Sequence, residues 1–131
     1  MGAWAAGSFD NDDAGDWVCE LPQANDLSIL EKAFSRVIEC EGDVEAPDCS
    51  VAIAAAEVVA ALRQRPCVAP PEEVREYVAR IATPPAPALV GLALQALEQV
   101  KTKSELQQLW EEGDSRTEWQ QAVTELEGRL R

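Results

Sequence analysis

A chain of 131 residues, 47% apolar and 27% charged, has the size and composition of one globular domain that needs neither a metal nor disulfides to fold. Its net charge of −13, from 24 acids against 11 bases, excludes the basic footprint that nucleic acid or an anionic membrane surface requires. The absence of histidine removes the commonest general base and the usual metal ligand.

Ala, Leu, Glu and Gln dominate, side chains that lose little rotamer freedom in a helix, and helical signals recur along the chain. The first helix follows Phe9. Asp10, Asn11 or Asp12 is placed to cap it, Ala14, Trp17, Val18 and Leu21 fall at i, i+3, i+4 and i+7, and Pro22 ends it. Asn25 or Asp26 caps a second helix, with Leu27, Leu30, Phe34 and Val37/Ile38 on one stripe, running out near Gly42. Asp48 caps a third, over about 49–65, which is apolar nearly all round. Such a helix is central and buried, and Ala54, Ala55, Ala56, Ala60 and Ala61 let its neighbours come close. Arg63 and Arg65 in its last turn complement the helix dipole.

Pro70-Pro71 opens a fourth helix, with Glu72 and Glu73 at its positive end and Val74, Tyr77/Val78 and Ile81 on the buried face. A proline cluster at 83–87 separates it from a fifth, roughly 87–101, carrying Leu89, Val90, Leu92, Leu94, Leu97 and Val100 and buried on most sides. Capping boxes at Ser104–Gln107 and Ser115–Glu118 open two short closing helices. The first carries Leu106, Leu109 and Trp110 and stops at Gly113; the second carries Trp119, Val123, Leu126 and Leu130. No segment reads as a strand. The expected fold is all-α: a compact irregular bundle of about seven helices with an ordered N-terminal arm, one domain over residues 1–131.

No apolar run approaches the ~20 residues that span a bilayer. No basic-then-apolar leader is visible, and Ala6 stands where myristoylation wants Ser or Thr, so a cytoplasmic location is expected. Cys19, Cys40, Cys49 and Cys67 contain no C-x-x-C pair and are expected as mostly buried thiols, not zinc ligands.

Charge is distributed unevenly. Residues 1–50 hold 12 acids against Lys32 and Arg36, a net −10, while the rest of the chain carries −3. Within that segment Asp10, Asp12, Asp13 and Asp16 imitate a calcium loop, with Asp10 at position one, Asp12 at three and Gly15 at six. The match then fails, because Ala14 stands at five and Leu21 at twelve, where a bidentate Glu belongs. Acids in a first helical turn, stabilised by its open N–H groups and dipole, explain the cluster without a metal. Gly2 and Gly7 match no phosphate-binding glycine pattern, and the serines at 28, 35, 104 and 115 sit beside caps or on helices. Neither catalysis nor a cofactor is expected.

Aromatic residues gather at the two ends: Trp4, Phe9 and Trp17 in the first, Trp110 and Trp119 in the last. The arm is expected to fold back on the closing helices through these side chains as a clasp, with Asp10, Asp13 and Glu20 as an acidic rim for binding. The alternative is a partly open aromatic groove that anchors a partner.

The opening segment resembles the start of a bacterial family known as a domain of unknown function, number 4259. Members begin Met-Gly-x-Trp-Gly-x-Gly-x-Phe, followed by Asn-Asp, an Ala and Asp-Trp. That pattern falls here on Gly2, Trp4, Gly7, Phe9, Asn11, Asp12, Ala14, Asp16 and Trp17. The Ala-rich stretch 54–61 and the block from Ser104 to Leu130 are also similar to the family's later segments. Ala5 replaces the usual glycine, so a turn needing positive φ there is altered or absent. The resemblance implies a cytosolic bacterial setting and no particular activity.

The leading functional expectation is a non-catalytic acidic module for a basic protein partner, immunity- or inhibitor-like in one version. Its rival is a cation-dependent or carboxylate-based hydrolase built on Asp10, Asp12, Asp13 and Asp16. A self-assembling structural protein is a third reading, and the oligomeric state stays open.

Overall fold

The computed structural model describes residues 12–24, 26–40, 46–63, 72–81, 86–102 and 116–130, and among these described residues the regular structure is six α-helices and one 3-10 turn. Within these, side chains are described everywhere except at 12–14, 46–47, 102, 116–120 and 122. The helices are α1 (Asp12–Val18), α2 (Ser28–Ile38), α3 (Ala46–Leu62), α4 (Glu72–Ile81), α5 (Pro87–Thr102) and α6 (Arg116–Leu130), with the 3-10 turn (Leu21–Gln23) between α1 and α2. The all-α class therefore holds. The expected N-terminal arm and the helix expected after Ser104 lie outside the described residues.

α1 stops short of Pro22, and the proline explains why. Pro22 has no N–H to give to the carbonyl one turn back, so the α-helical ladder cannot run through it. The chain tightens instead: Glu20 N–H donates to the Trp17 carbonyl at 3.0 Å, and Ala24 N–H to the Leu21 carbonyl at 3.0 Å. Leu21, read as the end of the α1 stripe, is fully buried from the 3-10 turn.

The N-cap of α2 is Leu27, with no side-chain cap bond, which corrects the expected cap at Asn25 or Asp26. Asp26 instead braces the first residue of the helix from one position further back. Its Oδ1 accepts the Ser28 N–H at 3.0 Å and the Ser28 hydroxyl at 2.6 Å. α2 then buries Leu30, Phe34 and Val37 of the predicted stripe together with Ala33, leaves Leu27 and Ile38 half-buried, and ends at Ile38, ahead of Gly42. α3 begins earlier than expected, at Ala46, because Pro47 suits a first turn whose N–H groups have no partner in any case. It ends at Leu62, so Arg63 follows the last turn, and Arg65 lies outside the described residues.

α3 sits at the centre, in contact with α1, α2, α4, α5 and α6. Ala52, Ala54, Ala55, Ala56 and Ala60 are fully buried, and their small side chains allow helices to approach on every side. Around them Phe34, Ile53, Val58, Tyr77, Leu97 and Leu126 fill the core. Each such large apolar side chain contributes about 1.5–3 kcal/mol on burial. α5 packs on α2, α3 and α6, with Gly91, Gln95 and Glu98 left on its open face.

Two of the three described cysteines, Cys19 and Cys40, are exposed and Cys49 is buried, which corrects the expectation of mostly buried thiols. Cys19 follows the last residue of α1, and Cys40 lies just past α2, where the chain has left the core-facing stripe.

Candidate functional site

The sequence singles out the acidic first third, and the structure describes its inner half. Trp17 is buried at 7% exposure on α1, which leans on α3. Asp16 on α1 and Glu20 just beyond it are exposed. Gly2, Trp4, Gly7, Phe9, Asp10, Asn11 and Trp110 lie outside the described residues. Asp12 and Asp13 lie in the first turn of α1 and Trp119 within α6, but their side chains are not among those described. Trp17 is thus the one aromatic of the proposed clasp whose surroundings are visible.

The segment between α1 and α2 is gripped from α4. The Tyr77 hydroxyl donates to the Asp26 carbonyl at 2.6 Å. Arg80 Nη2 donates to the carbonyls of Leu21 and Ala24 at 2.7 and 2.8 Å, and its guanidinium lies 5.8 Å from the centre of the Tyr77 ring. These bonds tie α4 to backbone carbonyls of the segment between α1 and α2, the Leu21 carbonyl accepting from Arg80 as well as from Ala24 N–H. Burial pushes the Tyr77 phenol up to about 12, the negative charge of Asp26 adds to the rise, and Arg80 opposes it. The hydrogen bonds from Ser28 hold the exposed Asp26 carboxyl below its ordinary value.

Asp16, Glu20, Asp26, Glu31 and Glu39 are exposed from α1 to the end of α2, against exposed Lys32 and Arg36. The outward stripe of α2 lines a shallow depression of about 410 Å³ with Ser28, Glu31, Lys32, Ser35, Arg36 and Glu39. That stripe is charge-balanced. The exposed acids of this segment outside that stripe are Asp16, Glu20 and Asp26, around α1 and the 3-10 turn, with the charge of Lys32 acting on Asp26.

Sequence reasoning missed a second group of charges, which is buried. Glu57, at 3% exposure in the middle of α3, receives both Arg129 Nη2 at 2.5 Å and Nη1 at 3.2 Å. Arg129 Nε also donates to Glu125, one turn back on α6. Burial pulls the Arg129 guanidinium's pKa down, but the bonds to Glu57 and Glu125 and their charges outweigh it and raise the pKa. Across α6, the buried Glu127 accepts from Lys101 Nζ at 2.7 Å, and Glu98 stands 3.8 Å from the same ammonium. A usable signal was present: Glu57 is the sole charge between Asp48 and Arg63, on a helix otherwise apolar all round. A charge so placed has to be paired inside the fold.

Among the described residues, no group of three or more Cys, Asp or Glu side chains is arranged to hold a metal ion. No described helix is long and apolar enough to cross a membrane. No curated protein and no solved structure matches the chain. A family model does: that of the Domain of unknown function (DUF4259) matches residues 2–122. Spanning nearly the whole chain, the match covers the opening Gly-x-Trp segment, the Ala-rich central helix and the first part of α6, and the chain belongs to that family.

Proposed function

We propose that this chain is a non-catalytic binding module whose acidic first third docks on a basic protein partner. The observation that carries the reading is the net −10 held by residues 1–50, with Asp16, Glu20 and Asp26 exposed around α1 and the 3-10 turn. Clustered charge of one sign speeds encounter with an opposite surface and discriminates against like-charged ones. The chain's lack of histidine supports a role without acid–base chemistry. A small acidic protein that covers the basic face of a toxin or enzyme fits this description, as does a cytoplasmic setting.

The test uses the whole chain as bait, first to recover a partner from cells of its source and then to measure the purified pair. Affinity is expected to fall as sodium chloride rises from about 50 to 200 mM, and to drop about tenfold in the Asp16→Lys/Glu20→Lys variant. A partner whose affinity ignores both salt and charge reversal would show that the acids are only a solvated surface.

A further inference from the structure

We infer that α6 is a keyed latch: two ion pairs of opposite polarity set its rotation, and loss of either releases α6 while the rest of the bundle stays folded.

α6 packs against α3 and α5. Its described buried face is Val123, Leu126 and Leu130. Successive helical residues are about 100° apart, which places these three within a sector of roughly 60°. Glu127 bounds that sector on one side and Arg129 on the other. Each reaches a different neighbour: Arg129 meets the anion Glu57 on α3, and Glu127 meets the cation Lys101 on α5.

Both junctions are built alike. Each cation bridges a buried carboxylate on the facing helix and an exposed carboxylate on its own: Arg129 between Glu57 and Glu125, Lys101 between Glu127 and Glu98. The buried carboxylate side chains are 3% and 6% exposed. The exposed partner helps to orient the cation, since a Glu one turn before an Arg favours that pairing on a helix surface. The buried partner is the one that needs α6 in place.

The polarity makes the contact selective. Turning α6 so that Arg129 faces Lys101 and Glu127 faces Glu57 would set like charges together in a water-poor seam. Apolar contacts of Val, Leu and Leu carry no such preference, being non-directional. Removing either cation strands a buried carboxylate, and reversing the charge of a buried partner sets like charges together, each far costlier than exchanging both members of a pair. The cost is relieved when α6 swings into water. α1 to α5 are also joined without α6, through the contacts of α3 with α1, α2, α4 and α5 and of α2 with α5.

Hydrogen exchange of the full-length protein at neutral pH, read by segment, tests the latch. In Glu127→Lys, amides of 121–130 are expected to exchange about tenfold faster, while those of Ser28–Ile38 and Ala46–Leu62 stay near the wild-type rate. The swapped pair Lys101→Glu/Glu127→Lys restores the protection. If Glu127→Lys does not fold, the milder Arg129→Gln on the opposite flank is read in the same way, with Glu57→Leu/Arg129→Met as its restoring pair. Unchanged exchange in α6 would mean that the apolar seam alone holds it. Equal acceleration in every helix, or no rescue by the paired variants, would equally overturn the proposal.

Discussion

Tyr77 shows how one side chain joins distant parts of the chain. Its ring fills the core from α4, and its hydroxyl closes the loop in front of α2 through the Asp26 carbonyl. In the unfolded chain the phenol has its ordinary value of 10.0, and in the fold it lies near 12. A folded value raised above the unfolded one gives stability that is full below pH 10 and is lost as pH rises toward 12. Because Tyr77 is the sole tyrosine, phenolate absorbance reports it alone. The native protein is expected to show that absorbance only near pH 12, and the urea-unfolded chain near pH 10. A native titration at 10 would mean that the hydroxyl is open to solvent. Tyr77→Phe is expected to cost about 0.5–1.5 kcal/mol at neutral pH, the usual net worth of one hydrogen bond, and to flatten the alkaline decline in melting temperature.

At the scale of elements, α3 is the axis of the bundle and its alanines set the spacing. Ala56 is fully buried on a helix surrounded by five others, so extra methylenes there have no room without moving a neighbour. Ala56→Leu is expected to destabilise by about 1–3 kcal/mol in a urea titration. Ala88→Leu, on the exposed side of α5, is expected to stay within about 0.5 kcal/mol, the usual range for a surface change. Equal effects at the two positions would contradict the packing of α3. Glu57→Ala is expected to cost about 3 kcal/mol, the low end for breaking a buried pair, since a fifth of the Arg129 side chain still reaches water.

For the whole molecule, charge governs both stability and encounter. A net −13 on 131 residues repels itself in the compact state. Added salt screens exposed charges more than the buried pairs at Glu57 and Glu127. The melting temperature is therefore expected to rise when sodium chloride goes from about 10 to 200 mM. A fall would mean that attractive surface pairs outweigh the repulsion. Salt thus acts in opposite directions on the two properties, steadying the fold and weakening the proposed docking.

Local pattern by itself determined a good deal of this protein. The stripe Leu30, Phe34, Val37 is buried as its spacing requires, α6 is a helix over Arg116–Leu130 where the sequence pattern placed one, and the apolar run of α3 lies at the centre. The opening motif also pointed to the family that the match over residues 2–122 establishes. Such features are legible because periodicity, caps and prolines act within a few residues of chain. Tertiary structure alone decided that Glu57 meets Arg129 and that Tyr77 closes on Asp26, pairs separated by 72 and 51 positions. Those contacts depend on how helices rotate and cross, and no short stretch of sequence encodes a rotation relative to a partner it has yet to meet.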